Sequence, residues 1–514
     1  MDQTTANALL SPSRTPGLQW LCPECHQTQT FTALQRTDIR YGADLPPELW
    51  IAIFRNLDKR SLLHVRAACH RWKNIVDQNQ PLRKRFCVKF VGPVTVDDRY
   101  RPESLLPAPC AEFCRAKIIS VVSWWPSFGA GLTELNFDIC DIALPVLLAM
   151  LKETPNLACL TLGHVESATD EELNADFRLE KLECLYCQQI FDVFGSVFTR
   201  LRELNLESQL DDIEATIVCR FFRSVQGTLK DLDCQLIPLM LEQMASMDRL
   251  RLTKVAVRLA GGDLAVQLSQ IQSSIESLNV IAFNEDLSQV GRNLTKLKEI
   301  TVILLDSGFV VPSFLAEMRQ LKVLRLEGFA EDVLNLNPFK SATLTHLKLE
   351  RFNIDGLQAF LTNCPNLQDL ELCDCLLNSW LEIFAAQFKT LRRLTIYSTK
   401  VMLNAMNVPN VLECLEELNI TTCNICAEMI VELLRQCPRL AKLTLRGLDT
   451  INDEFVGVLG RFPQLKELHI YYCEITDKSL QLIAENYYHL IVKISSQKIS
   501  DAAIKLLSYA TRSG

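Results

Sequence analysis

The sequence has little histidine and none of the short motifs that mark common catalytic centres. Seven of its 514 residues are histidine. It contains no phosphate-cradling glycine-rich loop, no GxSxG and no HExxH sequence. No candidate nucleophile stands beside a paired base. These absences argue against an enzyme, and we expect neither catalytic residues nor a cofactor.

The chain also lacks a long apolar run and an excess of positive charge. No apolar stretch free of charge reaches about twenty residues, the length that a membrane-spanning helix needs. The net charge of −8 argues against wholesale binding of nucleic acid. The opening MDQTTANALLSPSRTPGLQW lacks the basic start and apolar core of a signal peptide. We therefore expect a cytoplasmic or nuclear protein with neither membrane nor nucleic acid as partner.

Cysteine, in contrast, is abundant, with twenty residues. In the reducing compartment that the missing signal peptide predicts, most of them should be free thiols. Cys22, Cys25 and His26 resemble half of a zinc site, with His26 as a candidate third ligand. Because no second cysteine pair lies nearby, we predict no metal site, and zinc at these three residues stays open.

A leucine pattern recurs along most of the chain. Units of Leu-x-x-Leu-x-Leu follow one another at about 22 to 28 residues, the spacing of leucine-rich repeats. Each Leu-x-Leu predicts a short strand, and the following residues predict a helix behind it. About sixteen such units predict an α/β horseshoe solenoid, with parallel strands concave and helices convex. Clear units begin at Leu132, Leu157, Leu201, Leu321, Leu344, Leu367, Leu391, Leu415, Leu440 and Leu465, and weaker units at Leu179, Leu229, Leu252, Ile275, Leu297 and near His489.

A different pattern runs from Leu45 to Ile75. It opens with Leu45-Pro46-x-Glu48-Leu49, which places proline in the first turn of a predicted helix. Apolar residues then recur near helical spacing, and Cys69-x-x-Trp72 stands near the end. Without a gap over about thirty residues, this order resembles the F-box family.

The resemblance implies a small three-helix F-box at residues 44–90. Members of this family bind the Skp adaptor and, through it, the cullin and RING subunits of an SCF (Skp–cullin–F-box) ubiquitin ligase. The basic charge of the segment suits the family's acidic adaptor, although a solvated helical face is the alternative. The residues predicted to bind the adaptor are Leu45, Pro46, Glu48, Leu49, Ile53, Phe54, Leu57, Leu62, Val65, Cys69 and Trp72.

Several repeats resemble the cysteine-containing class of leucine-rich repeats. Their helices end in Cys-Pro, as at Cys364-Pro365 and Cys437-Pro438. A cysteine then follows the strand, where a thiol serves as a small buried hydrophobe. Apolar residues replace it elsewhere, which favours packing over metal binding. The cysteines are Cys140, Cys187, Cys375, Cys423 and Cys473, and the replacements are Phe283, Phe329, Phe352 and Leu448.

These patterns divide the chain into four predicted segments. Residues 1–43 are expected to be poorly ordered, and the F-box occupies 44–90. A connector and cap of the array covers 91–131, with a candidate capping strand at Lys117–Trp125. The repeats fill 132–514. Family members with both parts are substrate receptors, and a scaffold without a role in ubiquitination is the alternative.

The outward strand positions suggest where a protein substrate sits. They are acidic in the first half of the array and mixed in the second half. One hypothesis is that basic and tyrosine side chains of the second half accept an acidic or phosphorylated segment. A hydrated face is the alternative, and the substrate itself is not predicted. The candidate residues are Arg325, Lys348, Arg393, Tyr397, Lys442, Arg446 and Tyr471.

Overall fold

A computed structural model gives the fold. It describes residues 45–100, 102, 108–121, 123–163, 174–257, 262–282, 287–304, 309–310, 313–329, 333–336, 340–379, 390–403, 412–486 and 490–500. The chain divides into two compact units, Met1–Leu182 and Glu183–Gly514. Cys22, Cys25 and His26 lie outside the described residues. None of the described helices has the length and apolar character to cross a membrane.

Short helices open the first unit. Asp58 begins the second helix, because its Oδ1 accepts a hydrogen bond from the Ser61 amide at 2.6 Å. The Cys69 thiol caps the start of the third helix in the same way, because its sulfur accepts a hydrogen bond from the Trp72 amide at 3.5 Å. The helices are α1 (Pro47–Arg55), α2 (Lys59–Ala68), α3 (His70–Gln78) and α4 (Gln80–Arg83).

An aromatic core holds these helices together. The Trp50 and Trp72 ring centroids lie 4.9 Å apart, and Phe54 meets Trp72 edge-on at 5.8 Å. Leu62 is fully buried beside them. At the rim, Arg66 on α2 binds both carboxylate oxygens of Asp77 on α3, at 2.6 and 3.0 Å. The segment thus has its own apolar centre.

Parallel strands continue the first unit. The first two pair in register, and the next ones follow in the same direction. The predicted capping strand is only partly present, since Lys117 and Ile118 end a strand and Trp125 begins a helix. The elements are β1 (Cys87–Val96), β2 (Cys110–Ile118), α5 (Trp125–Gly129), β3 (Glu134–Asp138), β4 (Asp141–Ile142), α6 (Leu144–Lys152) and β5 (Cys159–Leu162).

The second unit is a stack of parallel strands, each paired with the next in register. The second and fourth residues of each strand are typically buried, and the others face outward. The outward side is called the open face below. Its strands are β6 (Cys184–Cys187), β7 (Glu203–Leu206), β8 (Asp231–Cys234), β9 (Lys254–Val257), β10 (Ser277–Ala282), β11 (Glu299–Leu304), β13 (Val323–Glu327), β15 (His346–Glu350), β17 (Asp369–Cys373), β19 (Arg393–Tyr397), β21 (Glu417–Thr421), β22 (Lys442–Arg446), β23 (Glu467–Tyr471) and β24 (Ile491–Ser495).

Helices or short strands connect the long strands. The short strands form a second parallel sheet, which the leucine pattern does not predict: β12 (Phe309–Val310), β14 (Val333–Asn335), β16 (Asn353–Asp355), β18 (Leu376–Ser379) and β20 (Lys400–Leu403). The helices are α7 (Phe194–Val197), α8 (Asp212–Val225), α9 (Pro238–Ala245), α10 (Gly262–Ile271), α11 (Ser288–Asn293), α12 (Leu357–Thr362), α13 (Ala427–Gln436), α14 (Asp453–Val458) and α15 (Asp477–Asn486), with 3₁₀ turns at Ser313–Glu317 and Leu459–Arg461. The predicted leucine-rich-repeat solenoid is confirmed.

Each strand predicted from a clear unit begins two residues after that unit's first leucine, as Leu391 precedes β19. Among the weaker units, the prediction for Leu179 is wrong. Leu182, and not Leu179, stands two positions before the first residue of β6. The prediction that Cys187 follows its strand is also wrong. It pairs with Leu206 as the last residue of its strand, so it replaces an inward leucine.

A left-handed residue ends successive strands in the second unit. Arg351, Asp374, Ser398, Thr422 and Tyr472 have φ angles of 60°, 50°, 49°, 48° and 54°. This conformation is costly for a residue with a side chain. Its recurrence at one place in these five repeats shows that the turn out of their strands demands it.

The residue after this turn points inward and satisfies carbonyl groups. The Cys375 thiol lies 3.2 Å from the carbonyl oxygen of Cys373 and 3.4 Å from that of Leu349. The Thr399 hydroxyl makes the equivalent contacts one repeat later, at 3.1 and 3.4 Å. The thiol is therefore a weak donor as well as a small apolar group. Equivalent pairs of contacts are made by Cys140, Cys423 and Cys473.

The apolar replacements at this position differ from one another. Phe352 and Leu448 are buried as predicted. The prediction for Phe329 is wrong, because this side chain is 41% exposed. The ring of Phe352 fills the space over Gly328, the residue before Phe329. Phe283 lies outside the residues whose side chains are described.

Candidate protein-interaction surfaces

The outer side of α1 exposes two large apolar side chains. Leu49 and Ile53 stand one helical turn apart and are 50% and 44% exposed. Pro46 and Glu48 are exposed beside them at the start of the helix. Together they form a small apolar patch on one side of the helix, which is available to a partner.

Other residues predicted to bind an adaptor lie inside the domain. Phe54, Leu62 and Trp72 are buried in its core. The remaining four, Leu45, Leu57, Val65 and Cys69, are half-buried. The predicted set therefore splits into side chains that present a surface and side chains that hold α1 in position.

Two arginines fix the ends of α1. Arg71 donates to the carbonyl oxygen of Leu45 at 3.1 Å, just before the helix begins. At the other end, Arg85 donates to the carbonyl oxygen of Phe54 at 3.4 Å and also to those of Arg55 and Leu57. Cations near the last carbonyls of a helix satisfy unpaired acceptors and complement the dipole. The sequence showed Arg85 only as part of a basic cluster.

The neighbouring helices α2 and α3 carry exposed basic side chains. Lys59, Arg60 and His64 are exposed on α2, and His70 and Lys73 on α3. Lys59 and Arg60 stand at the start of α2, where positive charge opposes the helix dipole. Local helix stability therefore does not explain these two residues. Their charge is available to attract an acidic partner.

On the open face of the second unit, most of the predicted cations are already paired. Arg325 contacts Glu299, and Lys348 lies 2.8 Å from Glu350. Lys442 lies 3.7 Å from Glu417. Two of these pairs join neighbouring strands and one lies within β15, so the charges on the sheet largely neutralise one another.

Arg393 is the most firmly held of these cations. Its Nε and Nη2 atoms lie 2.6 and 2.7 Å from the two carboxylate oxygens of Asp369, its register partner on β17. This fork raises the pKa of the Arg393 guanidinium. The fork uses two of the five N–H donors and offsets the charge of Arg393, so this guanidinium is less available to a partner than an unpaired one.

Arg446 has a different environment. It is exposed, and its guanidinium carbon stands 5.2 Å from the ring centre of Tyr472. In the sheet register, Tyr397, Thr421, Arg446 and Tyr471 follow one another across β19 to β23. The structure therefore brings together three of the predicted residues in one row, with Tyr472, which is 57% exposed, beside them. We call Tyr397, Arg446, Tyr471 and Tyr472 the tyrosine–arginine row.

His469 stands two residues before Tyr471 on β23, and its side chain is buried. Burial lowers the pKa of its imidazole, and the nearby Lys493 lowers it further. The ring is therefore neutral at pH 7 and adds no positive charge to the row. Within the described ranges, no group of three or more His, Cys, Asp or Glu side chains is placed to hold a metal ion.

The comparison with protein families identifies the helical segment. Residues 43–89 match the family model described as F-box-like. This range contains α1 to α4 and their aromatic core, so the first unit carries an F-box-like domain. An F-box-like domain joined to leucine-rich repeats is an architecture typical of non-catalytic protein-interaction modules.

Solved structures with repeats resemble the chain at low sequence identity. The TLR13–ssRNA13 complex is 13% identical, with 80% of this chain and 75% of that chain covered and a TM-score of 0.43. The Toll–Spatzle complex from Drosophila is 16% identical, with 76% and 55% covered and a TM-score of 0.39. A leucine-rich-repeat protein of Leptospira interrogans is 15% identical, with 77% and 97% covered and a TM-score of 0.35. These scores are low, so the repeat assignment rests on strand register and burial.

Proposed function

We propose that this protein is a substrate receptor of an SCF ubiquitin ligase. Its F-box-like domain docks a Skp-type adaptor, which links it to the cullin and RING subunits, and its repeats bind the protein substrate. The observation that carries the proposal is the exposed pair Leu49 and Ile53 on α1 of a domain that matches the F-box-like model. The receptor itself performs no chemistry. It raises the effective concentration of substrate near the conjugating enzyme.

The two classes of adaptor-binding residue have different roles in this proposal. Pro46, Glu48, Leu49 and Ile53 contact the adaptor directly because they are exposed on one end and one side of α1. The buried members keep α1 at its angle and act through it. The exposed basic residues of α2 and α3 speed the encounter with an acidic adaptor, in a salt-dependent way.

The substrate occupies the open face of the repeats, and the tyrosine–arginine row is the part that supports an acidic or phosphorylated segment best. Arg446 contacts a tyrosine ring, whereas Arg325, Lys348, Arg393 and Lys442 are engaged by carboxylates. Tyrosine adds rigid contact area and a hydroxyl, both common in recognition surfaces. These four engaged cations then help to shape the face.

We also propose that the repeats belong to the cysteine-containing class of leucine-rich repeats. The support is the inward thiol after the left-handed turn at Cys140, Cys375, Cys423 and Cys473. These thiols contact carbonyl oxygens of their own strand and of the preceding repeat. A hydroxyl at Thr399 makes the same contacts, which explains why Cys and Thr interchange there.

The experiment that tests the docking proposal compares the double variant Leu49→Ala with Ile53→Ala against the wild-type chain. Losing the burial of both side chains should cost about 3 kcal/mol, roughly a hundredfold in Kd for a purified Skp adaptor. Ile213→Ala is the matched control, since that side chain is 74% exposed on α8. It should leave the affinity unchanged.

Co-purification from cells separates the receptor from the alternative, an interaction scaffold. The wild-type chain should recover adaptor and cullin, and the double variant neither, while proteins recovered with both forms are substrate candidates. Ubiquitin transfer to such a protein, dependent on Leu49 and Ile53, supports the receptor. Adaptor binding without any transfer would favour the scaffold, and unchanged adaptor binding by the double variant would refute the docking proposal.

A further inference from the structure

Cys87 and Cys110 face each other across the first two strands of the first unit. They are direct partners in the parallel register of β1 and β2. Their Sγ atoms lie 2.8 Å apart, about 0.8 Å longer than a disulfide bond. Registered neighbours on adjacent strands stand roughly 4.8 Å apart, which falls within the Cα separation of disulfides.

The surroundings of the pair suit oxidation by a small molecule. Both cysteines are half-buried, so a small oxidant can reach them. Lys89 lies two positions along β1, where it binds Glu112. The pKa of Lys89 is raised first by that hydrogen bond and further by the charges of Cys87 and Cys110. Reactive cysteines commonly have such a cation nearby.

We propose that Cys87 and Cys110 are a site of reversible oxidation that closes a disulfide when the protein meets a peroxide. The bond would join the last residues of the F-box-like domain, which ends at residue 89, to β2. It would enclose the segment between β1 and β2. This property does not depend on the proposed ligase role.

The two cysteines have different parts in the reaction. Burial raises the pKa of Cys110 to about 12, with the Cys87 thiol and nearby carboxylates adding to the effect. Cys87 therefore attacks first. Its thiolate takes one oxygen of hydrogen peroxide, the O–O bond breaks, and hydroxide leaves as Cys87 becomes a sulfenic acid.

Cys110 then completes the disulfide. Its sulfur attacks the sulfenic sulfur, the S–O bond breaks, and the departing hydroxide takes the Cys110 proton to form water. In sum, two thiols and one hydrogen peroxide give one disulfide and two waters. The sulfurs lose two electrons and the peroxide gains them.

The test uses the full chain, treated with graded hydrogen peroxide, alkylated and digested with trypsin without reduction. Cleavage after Arg85, Lys89, Arg99 and Arg115 gives Phe86–Lys89 and Tyr100–Arg115. We expect mass spectrometry to find these peptides joined in most molecules, two hydrogens lighter than their sum. Dithiothreitol should restore both free peptides, since a disulfide is reversible.

Cys114 is the matched control, because it shares the second peptide and the outward side of β2 and contacts Asp138 at 3.4 Å. Cys114→Ser should keep the joined peptides, and Cys87→Ser or Cys110→Ser should reduce them to background. Joined peptides that persist in Cys110→Ser would overturn the proposal. So would two fully alkylated cysteines in the folded wild-type chain at millimolar peroxide, a result that needs no variant.

Discussion

The carboxylate of Asp453 is bound by Thr476 of the following repeat. One oxygen accepts from the Thr476 amide at 2.9 Å, and the other accepts from its hydroxyl at 2.7 Å. The Ser479 hydroxyl is a further donor. Asp477 and Ser500 make the same contacts one repeat later, at 2.8 and 2.7 Å. The first residues of α14 and α15 thus tie neighbouring repeats together.

We expect Asp453→Ala to lower the free energy of unfolding by about 2 kcal/mol, because donors of the next repeat lose a charged acceptor. Burial acts to raise the pKa of Asp453, but hydrogen bonds from Ser479 and Thr476 outweigh it and hold the pKa below its usual value. A depressed folded pKa adds stability above the unfolded pKa of about 4, and this stability is lost as the pH falls.

Urea unfolding of wild type and variant, followed at several pH values, measures this difference. The gap between the two proteins should be widest at neutral pH and should shrink below about pH 4. Asp449→Ala, which removes an exposed aspartate of the preceding turn, is the control and should change little. A gap that stays constant down to low pH would contradict the role of the carboxylate.

Gly328→Ala should destabilise the repeats because it overfills a buried site. A methyl group there would lie 2.6 Å from Cζ of Phe352, and that ring is buried. We expect a loss of about 1 to 3 kcal/mol in unfolding free energy. Adding Phe352→Leu should recover part of it. Gly457→Ala, on α14 with nothing within 4 Å of the added methyl, should be neutral or stabilising.

Thr422→Gly should stabilise the protein. Thr422 is β-branched and exposed, and it holds a left-handed φ of 48°. Glycine accepts this conformation without the clash, so we expect a gain of about 0.5 to 1 kcal/mol in thermal or urea unfolding. Thr421→Gly, one residue earlier in strand β21, should instead destabilise. The idea fails if both substitutions lower stability equally.

Arg85→Ala should destabilise α1 without altering the exposed side chains Leu49 and Ile53. The carbonyl groups at the end of α1 lose their donor, at a cost of about 1 to 2 kcal/mol. Hydrogen exchange of peptides that cover residues 47–57 should become faster, and adaptor affinity should fall with it. Lys84→Ala, on an exposed neighbour, is the control. Unchanged exchange in Arg85→Ala would show that other contacts hold the helix.

The spacing of leucines predicted the strands well because inward positions are constrained by burial. The strands expected in the units at Leu391 and Leu415 are present as β19 and β21. The pattern failed where position in the repeat was inferred from residue type alone, as at Cys187 and Phe329. Leu182, and not Leu179, opens its unit, because the strand begins two residues after Leu182.

The pairing of surface charges could not be predicted from the sequence. Arg393 and Arg446 both occupy outward strand positions and look equivalent in the leucine pattern. Their partners depend on which strand lies beside them and on the register, which joins Arg393 to Asp369. The role of Arg85 depends on tertiary contact with a helix end about thirty residues away. These features arise only when the chain is folded.

Neutralising these two arginines gives the sharpest test of the substrate surface. Arg446→Gln should weaken binding to acidic or phosphorylated peptides about tenfold, because a charge-assisted contact is lost. Arg393→Gln should change it far less, since that guanidinium already binds Asp369 at 2.6 and 2.7 Å. The full chain would be applied to arrays of phosphoserine peptides and their unphosphorylated counterparts. Equal losses in both variants, or none in Arg446→Gln, would move the substrate away from the tyrosine–arginine row.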